Sequence, residues 1–432
     1  MKVISEAYDK ELFKLLELIF EERKEEFVPG ETTIHYAWAV YDHHEIFAAL
    51  KSLLSGWFGI GKYAAEFEKQ FLKFLGTKYC VLVNSGSSAN LLAVESLDIP
   101  KGAEAITPAT TFPTTLNPLI QKGIRPVLMD INPTTYNINA SELKNAFSKE
   151  VKLIMLPHTL GNPNEMDYIM DFAEEHDLYV IEDACDALGS RYNGKYVSTF
   201  GDVGTFSFYP AHHITMGEGG AIVTNNEEIS LTVRSLRDWG RACVCPVCKI
   251  SLDPNANCPL RFSKSPLPDY DKRFTYINIG YNLKPLDLQA AIGLQQLQRL
   301  PSFIQKRKEN FHKLYNELLE FEDYLILPEA LPKSDPCWFT FPITVKDDAP
   351  FVRKDIVNFL EKYHIDTRPI FSGNILKQPA YQGIDCRVVG ELKNADRVMT
   401  SSFFVGVHPG LTEDMLNYMV NTFEEFLRKV GK

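Results

Sequence analysis

Long apolar runs, basic tracts and repeats are all missing from this chain. No segment approaches the roughly 20 consecutive apolar residues of a membrane-spanning helix. The N-terminus interleaves Lys2, Glu6, Asp9, Lys10, Glu11 and Glu21 with its apolar positions, the pattern of an amphipathic helix rather than a signal peptide. A cytoplasmic location is expected. No Lys/Arg-rich run occurs and the formal net charge is −11, which argues against a nucleic-acid partner, since phosphate backbones need a basic face. Cysteine is scarce, and eight in 432 residues are too few for a disulfide scaffold. Four of them nevertheless fall close together, Cys243, Cys245, Cys248 and Cys258, and in a reducing compartment such a cluster suggests a metal or reactive site.

With 45% hydrophobic and 23% charged residues the chain can bury a large core and fill two or three domains. Residues 1–33 read as a helical N-terminal extension ending in a turn at Pro29-Gly30. From Val40 to Leu75 the apolar positions recur at helical spacing on either side of Gly59-Ile60-Gly61, which predicts two helices and a Gly-rich joint. Short apolar runs at 79–83, 105–108, 126–129, 153–156 and 179–181 then alternate with helical segments. That alternation predicts right-handed crossovers and a mainly parallel sheet covered on both faces. A long helix is expected from Asp287 to about Leu319, after which Trp338 to Val345 reads as a strand. The division is 1–33 extension, 34–319 large domain with a Cys-rich insertion near 243–258, and 320–432 small C-terminal domain.

Several segments suit a phosphorylated cofactor. Ser85-Gly86-Ser87-Ser88 follows a strand and opens a helix, where amide groups and the macrodipole favour an anion, although Ser-Gly-Ser is also an ordinary turn with a Ser N-cap. Asp183 ends an apolar strand at the carboxyl edge where open α/β sheets bind ligands. It can pair with a pyridine nitrogen or simply cap the next helix. Phe112 can stack on a ring or join the core. The fourth segment runs Ser207-Phe208-Tyr209-Pro210-Ala211-His212-His213-Ile214-Thr215-Met216-Gly217-Glu218-Gly219-Gly220. It has the frame of a pyridoxal-phosphate (PLP) loop without the lysine.

Taken in order, Gly86 to Ser88, Phe112, Asp183, Ser207, His212 and Tyr281-Asn282 resemble the DegT/DnrJ/EryC1/StrS family of sugar aminotransferases. The resemblance covers nearly the whole chain beyond the N-terminal helix. It implies an α/β PLP-dependent transferase fold of the aspartate aminotransferase type, with a large, mainly parallel sheet domain and a smaller C-terminal α/β domain. It also implies a homodimer in which Gly86, Ser87, Ser88 and Ser207 hold the phosphate, Phe112 stacks on the ring, Asp183 pairs with the pyridine, and the neighbouring subunit's copy of Asn282 contacts the phosphate. His212 stands where the family's Schiff-base lysine would be. An imidazole moves protons but cannot hold PLP as an imine.

That replacement is similar to the family's nucleotide-sugar 3-dehydrases. The iron-sulfur branch acting on CDP-linked 4-keto-6-deoxyhexoses looks closest, through Ser207–Gly220, Gly373-Asn374 and Arg387-Val388-Val389-Gly390-Glu391-Leu392. It implies pyridoxamine phosphate (PMP) as cofactor, a 2Fe-2S cluster, a separate flavin/iron-sulfur reductase, and a place in lipopolysaccharide or antibiotic 3,6-dideoxyhexose synthesis. The implied ligands are Cys185, Cys243, which follows it by 58 residues, Cys245 and Cys258, with Cys248 as the alternative fourth. On a continuing strand Cys185 and Asp183 would point to the same face. The departure is the last interval, longer than in that branch and interrupted by Cys248. A structural zinc on Cys243, Cys245, Cys248 and Cys258 is the competing reading. A cluster-free, glutamate-coupled 3-dehydratase, a noncatalytic PLP-fold protein and an ordinary aminotransferase also remain open. Arg368 and His158 are candidates for the substrate; each is also an ordinary residue type for its position, at the surface and in a loop respectively.

Overall fold

A computed structural model describes residues 6–23, 26–246, 248–253, 255–263 and 265–430. Lys2 lies outside them. The chain forms two compact units that interleave along the sequence. Met1–Glu25, Ala39–Asp98 and Asp202–Leu300 make the first; Glu26–Trp38, Ile99–Gly201 and Pro301–Lys432 make the second.

In the first unit, strand Gly220–Thr224 runs antiparallel between Tyr79–Val83 and Val203–Ser207, with Gly220 opposite both Val83 and Ser207. Helix Glu6–Glu22 forms within the expected N-terminal extension. The expected helix pair is His43–Leu54 and Lys62–Leu75. Lys62–Leu75 begins at Gly61, which has no side chain to cap it. The cap comes from Asp287, whose carboxylate accepts the N–H groups of Gly61 and Ala64, each at 2.9 Å. Phe67, Phe71, Phe206 and Phe208, all at most 1% exposed, form an aromatic core with ring centroids 5.2–5.6 Å apart. Phe206 and Phe208 flank Ser207, so this core fixes the place where the 207–220 loop leaves its strand.

In the second unit, Tyr179–Asp183, Val151–Pro157, Glu104–Pro108, Arg125–Met129 and Arg387–Val388 pair in that order, every neighbour parallel. This is the arrangement that the strand-helix alternation predicts. A second sheet joins Leu325–Ile326, Thr340–Val345 and Ser402–Gly406 antiparallel. Its core includes Phe341, Ile343, Phe403 and Phe423, with Phe311 stacked on Trp338 at 4.7 Å.

A buried histidine makes this unit sensitive to acid. His408, 4% exposed, donates from Nε2 to the His35 carbonyl at 3.1 Å. Burial first, and then the Arg307 charge, pull its pKa down to about 3. An unfolded His titrates near 6.5. Below that pH the unfolded chain binds a proton that the folded chain refuses, so stability falls as pH drops from about 6.5 toward about 3. The slope is at most about 1.4 kcal/mol per pH unit. Urea unfolding of His408→Gln at pH 7 and pH 5 should show a smaller acid loss than the parent. An equal loss would remove His408 as a source of the acid sensitivity.

Candidate functional site

The first unit packs the Ser85–Ser88 turn and Ser207 around Gly220. The helix expected from Ala89 starts earlier, at Gly86, because Ser85 is its N-cap and accepts the Ser88 N–H at 3.1 Å. Gly86, Ser87 and Ser88 therefore form the first turn, where backbone N–H groups have no intrahelical acceptor. Ser88 Oγ donates to Asn84 at 2.6 Å, while Ser87 faces solvent. A Cβ on Gly220 would sit 2.3 Å from the Ser85 carbonyl oxygen and 2.8 Å from the Gly86 nitrogen. Only glycine lets the strand that pairs with Ser207 pass this close to the turn. The fold thus brings Ser85–Ser88 and Ser207 to the same place.

His212 lies in the loop beyond Ser207. Its N–H donates to the Tyr209 carbonyl at 2.9 Å, and the Tyr209 and His212 rings meet edge to face at 5.9 Å. The loop is closed by backbone bonds from Phe208 to the Gly219 carbonyl and from Met216 to the Phe208 carbonyl, both 2.9 Å. Gln296 accepts the Thr215 N–H at 3.2 Å and donates to Glu45 and to the Val40 carbonyl. Asn282 is exposed, and the next residue, Leu283, accepts the Asn84 N–H at 2.9 Å beside the Ser85–Ser88 turn.

In the second unit Asp183 ends its strand with both carboxylate oxygens engaged. Thr115 Oγ1 donates to Oδ2 at 2.8 Å, and the Cys185 N–H donates to Oδ1 at 3.1 Å. That second bond turns the chain, so the strand stops at Asp183 and Cys185 lies in a turn. The continuing strand expected to set the two side chains on one face does not exist. Burial, followed by the Asp183 carboxylate, pushes the Cys185 thiol well above its usual pKa. Phe112 is the N-cap of helix Pro113–Lys122, 49% exposed, with its ring 6.2 Å from Phe371.

His158 is placed for structure. Its side chain is 0% exposed. Nδ1 accepts the Asn164 N–H at 3.1 Å, which leaves Nε2 to donate to Glu182 at 3.0 Å. Both ring nitrogens are used, and none is left for a substrate. Arg368 is partly exposed. It donates to the Thr367 carbonyl at 2.6 Å and lies 4.7 Å over the Tyr36 ring. Sequence reasoning missed Thr115, Gln296 and Glu182. Only Glu182 left a signal, as a second acid beside Asp183 at a strand end.

Cys243, Cys245 and Cys248 line one cavity of about 310 Å³ in the first unit, together with Trp239, Arg237, Arg241 and Lys284. Burial first, and then Cys245 and Cys248, raise the Cys243 thiol to about 11. Cys258 is not among the cavity-lining residues; like Cys243 it lies near Arg273. Among the described residues the group whose ligand atoms all lie within 4.8 Å of one another is Asp42, His43 and His44, so the cysteine sulfurs are not gathered into a preformed metal set.

Helices alternating with strands of a mainly parallel sheet give a fold of the PLP-dependent aminotransferase type. The chain belongs to the DegT/DnrJ/EryC1/StrS aminotransferase family, which matches residues 40–424. It is 45% identical over 412 residues to the lipopolysaccharide biosynthesis protein RfbH of Salmonella typhimurium, covering 93% of each chain. It is 42% identical to the dTDP-4-dehydro-2,6-dideoxy-D-glucose 3-dehydratase of Saccharopolyspora spinosa, covering 99% of this chain and 94% of that one. The E. coli GDP-4-keto-6-deoxy-D-mannose-3-dehydratase, solved with bound hydrated PLP, superposes with a TM-score of 0.81 at 33% identity, over 90% of this chain and 99% of that one. Among the described residues no helix is long and apolar enough to cross a membrane.

Proposed function

We propose that the chain is a PMP-dependent 3-dehydrase of a nucleotide-linked 4-keto-6-deoxyhexose, acting in 3,6-dideoxyhexose synthesis. The carrying observation is His212, in place of lysine, in the loop that leaves Ser207 and returns to Gly220. The 3-dehydratase relatives support the reaction class, and a relative holding PLP as its hydrate supports noncovalent binding. When bound, PMP supplies an amine for the keto sugar and a ring that accepts electrons. Ser85–Ser88 and Ser207 bind the phosphate. Asp183, oriented by Thr115 and the Cys185 N–H, keeps a proton on the pyridine nitrogen. His212 removes the proton from C4′, and the neighbouring loop bonds hold its imidazole in place for that transfer. A lysine there would tether the cofactor and favour transamination.

Cys185, Cys243 and Cys245 with Cys258 or Cys248 would hold a 2Fe-2S cluster, which supplies single electrons delivered by a separate flavin reductase. Placement of Cys248 with Cys243 and Cys245 on one cavity favours Cys248 as the fourth ligand. The proposal includes a homodimer sharing Asn282, contact of Arg368 with the nucleotide, and the functional division 1–33, 34–319 and 320–432. It keeps CDP as the nucleotide carrier; two relatives are named for dTDP and GDP sugars, so the assay sets all three side by side.

The deciding experiment is an anaerobic absorbance spectrum with iron and sulfide determination, run alongside sugar turnover. Two irons and two sulfides are expected per chain, with most of the iron lost in Cys243→Ser. Turnover with glutamate and no iron would instead establish the cluster-free dehydratase. Zinc in place of iron would establish the structural-metal reading.

A further inference from the structure

Three metal-ligating side chains converge at the start of helix His43–Leu54, within the first unit. One ligand atom from each of Asp42, His43 and His44 lies within 4.8 Å of the other two. Neighbouring residues on a helix point about 100° apart and do not face each other. Here the His43 and His44 rings nevertheless stand 4.2 Å apart and both bring Nδ1 to Asp42 Oδ1, His44 at 2.8 Å and His43 at 3.9 Å. Phe13, on helix Glu6–Glu22, holds the pair: its ring meets His43 at 4.8 Å and His44 at 5.2 Å, both edge to face. The His43 side chain is 14% exposed and that of His44 52%, so the group is walled on one side and reachable from solvent on the other. Capping explains Asp42 and His44. It does not explain why His43 is turned to the same oxygen.

The charges around the group favour a cation. Asp42 Oδ2 lies 3.2 Å from Arg299 Nη1, and the buried Glu45 meets the same nitrogen at 3.2 Å. Two carboxylates against one guanidinium leave one negative charge over. Glu45 also accepts the Asp42 N–H at 2.9 Å and the Gln296 side-chain amide at 2.7 Å. The acid behind the group is thus itself fixed, as the outer partners of metal ligands are. The spacing suits a tetrahedral ion. Bonds of about 2.0–2.1 Å to nitrogen and oxygen set two ligand atoms about 3.3 Å apart, a value between the 2.8 Å and 3.9 Å of this group. The half-exposed His44 has to open by only about 0.5 Å for a metal to replace the proton it shares with Asp42.

We propose that Asp42, His43 and His44 form a site for a divalent transition metal such as zinc, with water completing the tetrahedron on the exposed side. Two imidazoles and a carboxylate are a donor set that suits such an ion, whereas magnesium and calcium take carboxylate, carbonyl and water oxygens. The site is separate from the reaction proposed above and does not rest on it, since no cysteine and no cofactor-loop residue takes part. It is nevertheless connected to that loop. Gln296 bridges Glu45, at 2.7 Å, to the Thr215 N–H, at 3.2 Å, so the acid behind the metal ligands is two hydrogen bonds from the segment that carries His212.

Cobalt(II) is the probe, titrated anaerobically into the full, reduced chain, because its spectrum separates donor types. Imidazole and carboxylate ligands give visible ligand-field bands alone, whereas thiolates add charge transfer in the near ultraviolet. The parent should take up one equivalent that raises the ligand-field bands without thiolate charge transfer. His44→Gln, a change at an exposed side chain, should weaken that uptake by about tenfold or more. His43→Gln should do the same, while any uptake of thiolate character stays as in the parent. Should His43→Gln lose its fold, His44→Gln decides alone. Uptake by the variants equal to the parent's, or cobalt bound only with thiolate bands, overturns the site. Neither result touches the dehydrase reading, which is tested by iron, sulfide and sugar turnover.

Discussion

Replacing His212 by Asn should leave PMP bound, abolish exchange of the C4′ proton and lower sugar dehydration by roughly 10²–10⁴-fold, the usual contribution of a positioned acid-base group. Binding should survive because the proposed phosphate contacts, Ser85–Ser88 and Ser207 beside Gly220, do not use the imidazole. The loop survives because its closing bonds are backbone bonds, including the one from the His212 N–H to the Tyr209 carbonyl. What Asn lacks is a basic ring nitrogen to accept the proton. Exchange is followed by loss of tritium from labelled C4′, and retained exchange in the variant would take the imidazole out of the chemistry. The reverse change, His212→Lys, should give a borohydride-trappable adduct on that residue. If the parent itself gave a lysyl adduct, the noncovalent reading would fail.

The largest stability effect is expected at Glu182. Its buried carboxylate accepts N–H groups from Ser198 at 2.7 Å, Phe200 at 2.7 Å and Gly201 at 2.8 Å, as well as His158 Nε2 at 3.0 Å. One side chain thus ties residues 198–201 and the His158 loop to the end of the strand that carries Asp183. Glu182→Ala strands two buried donors, the Ser198 N–H and His158 Nε2, and two part-buried ones, the Phe200 and Gly201 N–H groups, and a loss of about 3–5 kcal/mol is expected from the desolvation of the donors left without an acceptor. The urea midpoint should fall with little change in slope. Cofactor affinity should fall with it, since Asp183 is the next residue. A loss under about 1 kcal/mol would mean that water replaces the carboxylate, and the anchoring role would not stand.

Much of the fold was legible because its signals are local. Apolar runs at 105–108, 126–129, 153–156 and 179–181 are too short for helices and too uniformly apolar for exposed strands, so they read as buried parallel strands and pair as such. Within the first unit, the antiparallel pairing of Gly220–Thr224 with Tyr79–Val83 was not legible, since strand direction depends on a partner distant in sequence. The same limit applies at the site. Asp183 was found from its place at a strand end, but the stop at that residue comes from a side-chain bond to the Cys185 N–H that periodicity does not encode. His158 looked available to substrate until Asn164 and Glu182 were seen to occupy both its nitrogens.

Chemical identity was decided by the chain itself: an imidazole in a loop that in relatives of the resembled family carries an amine, serines opening a helix, an acid closing a strand, and cysteines at a spacing suited to a metal. These are matters of functional groups and short intervals, which any sequence states outright. Placement was decided by tertiary structure alone. Asp287 caps a helix more than two hundred residues away, Gly220 lets Ser85 and Ser207 come together, and Arg234, Arg237 and Arg241 line the cavity that Cys243, Cys245 and Cys248 share. The reason is physical: hydrogen bonding, burial and charge balance act through space, and only the folded chain fixes which groups are near enough to satisfy one another.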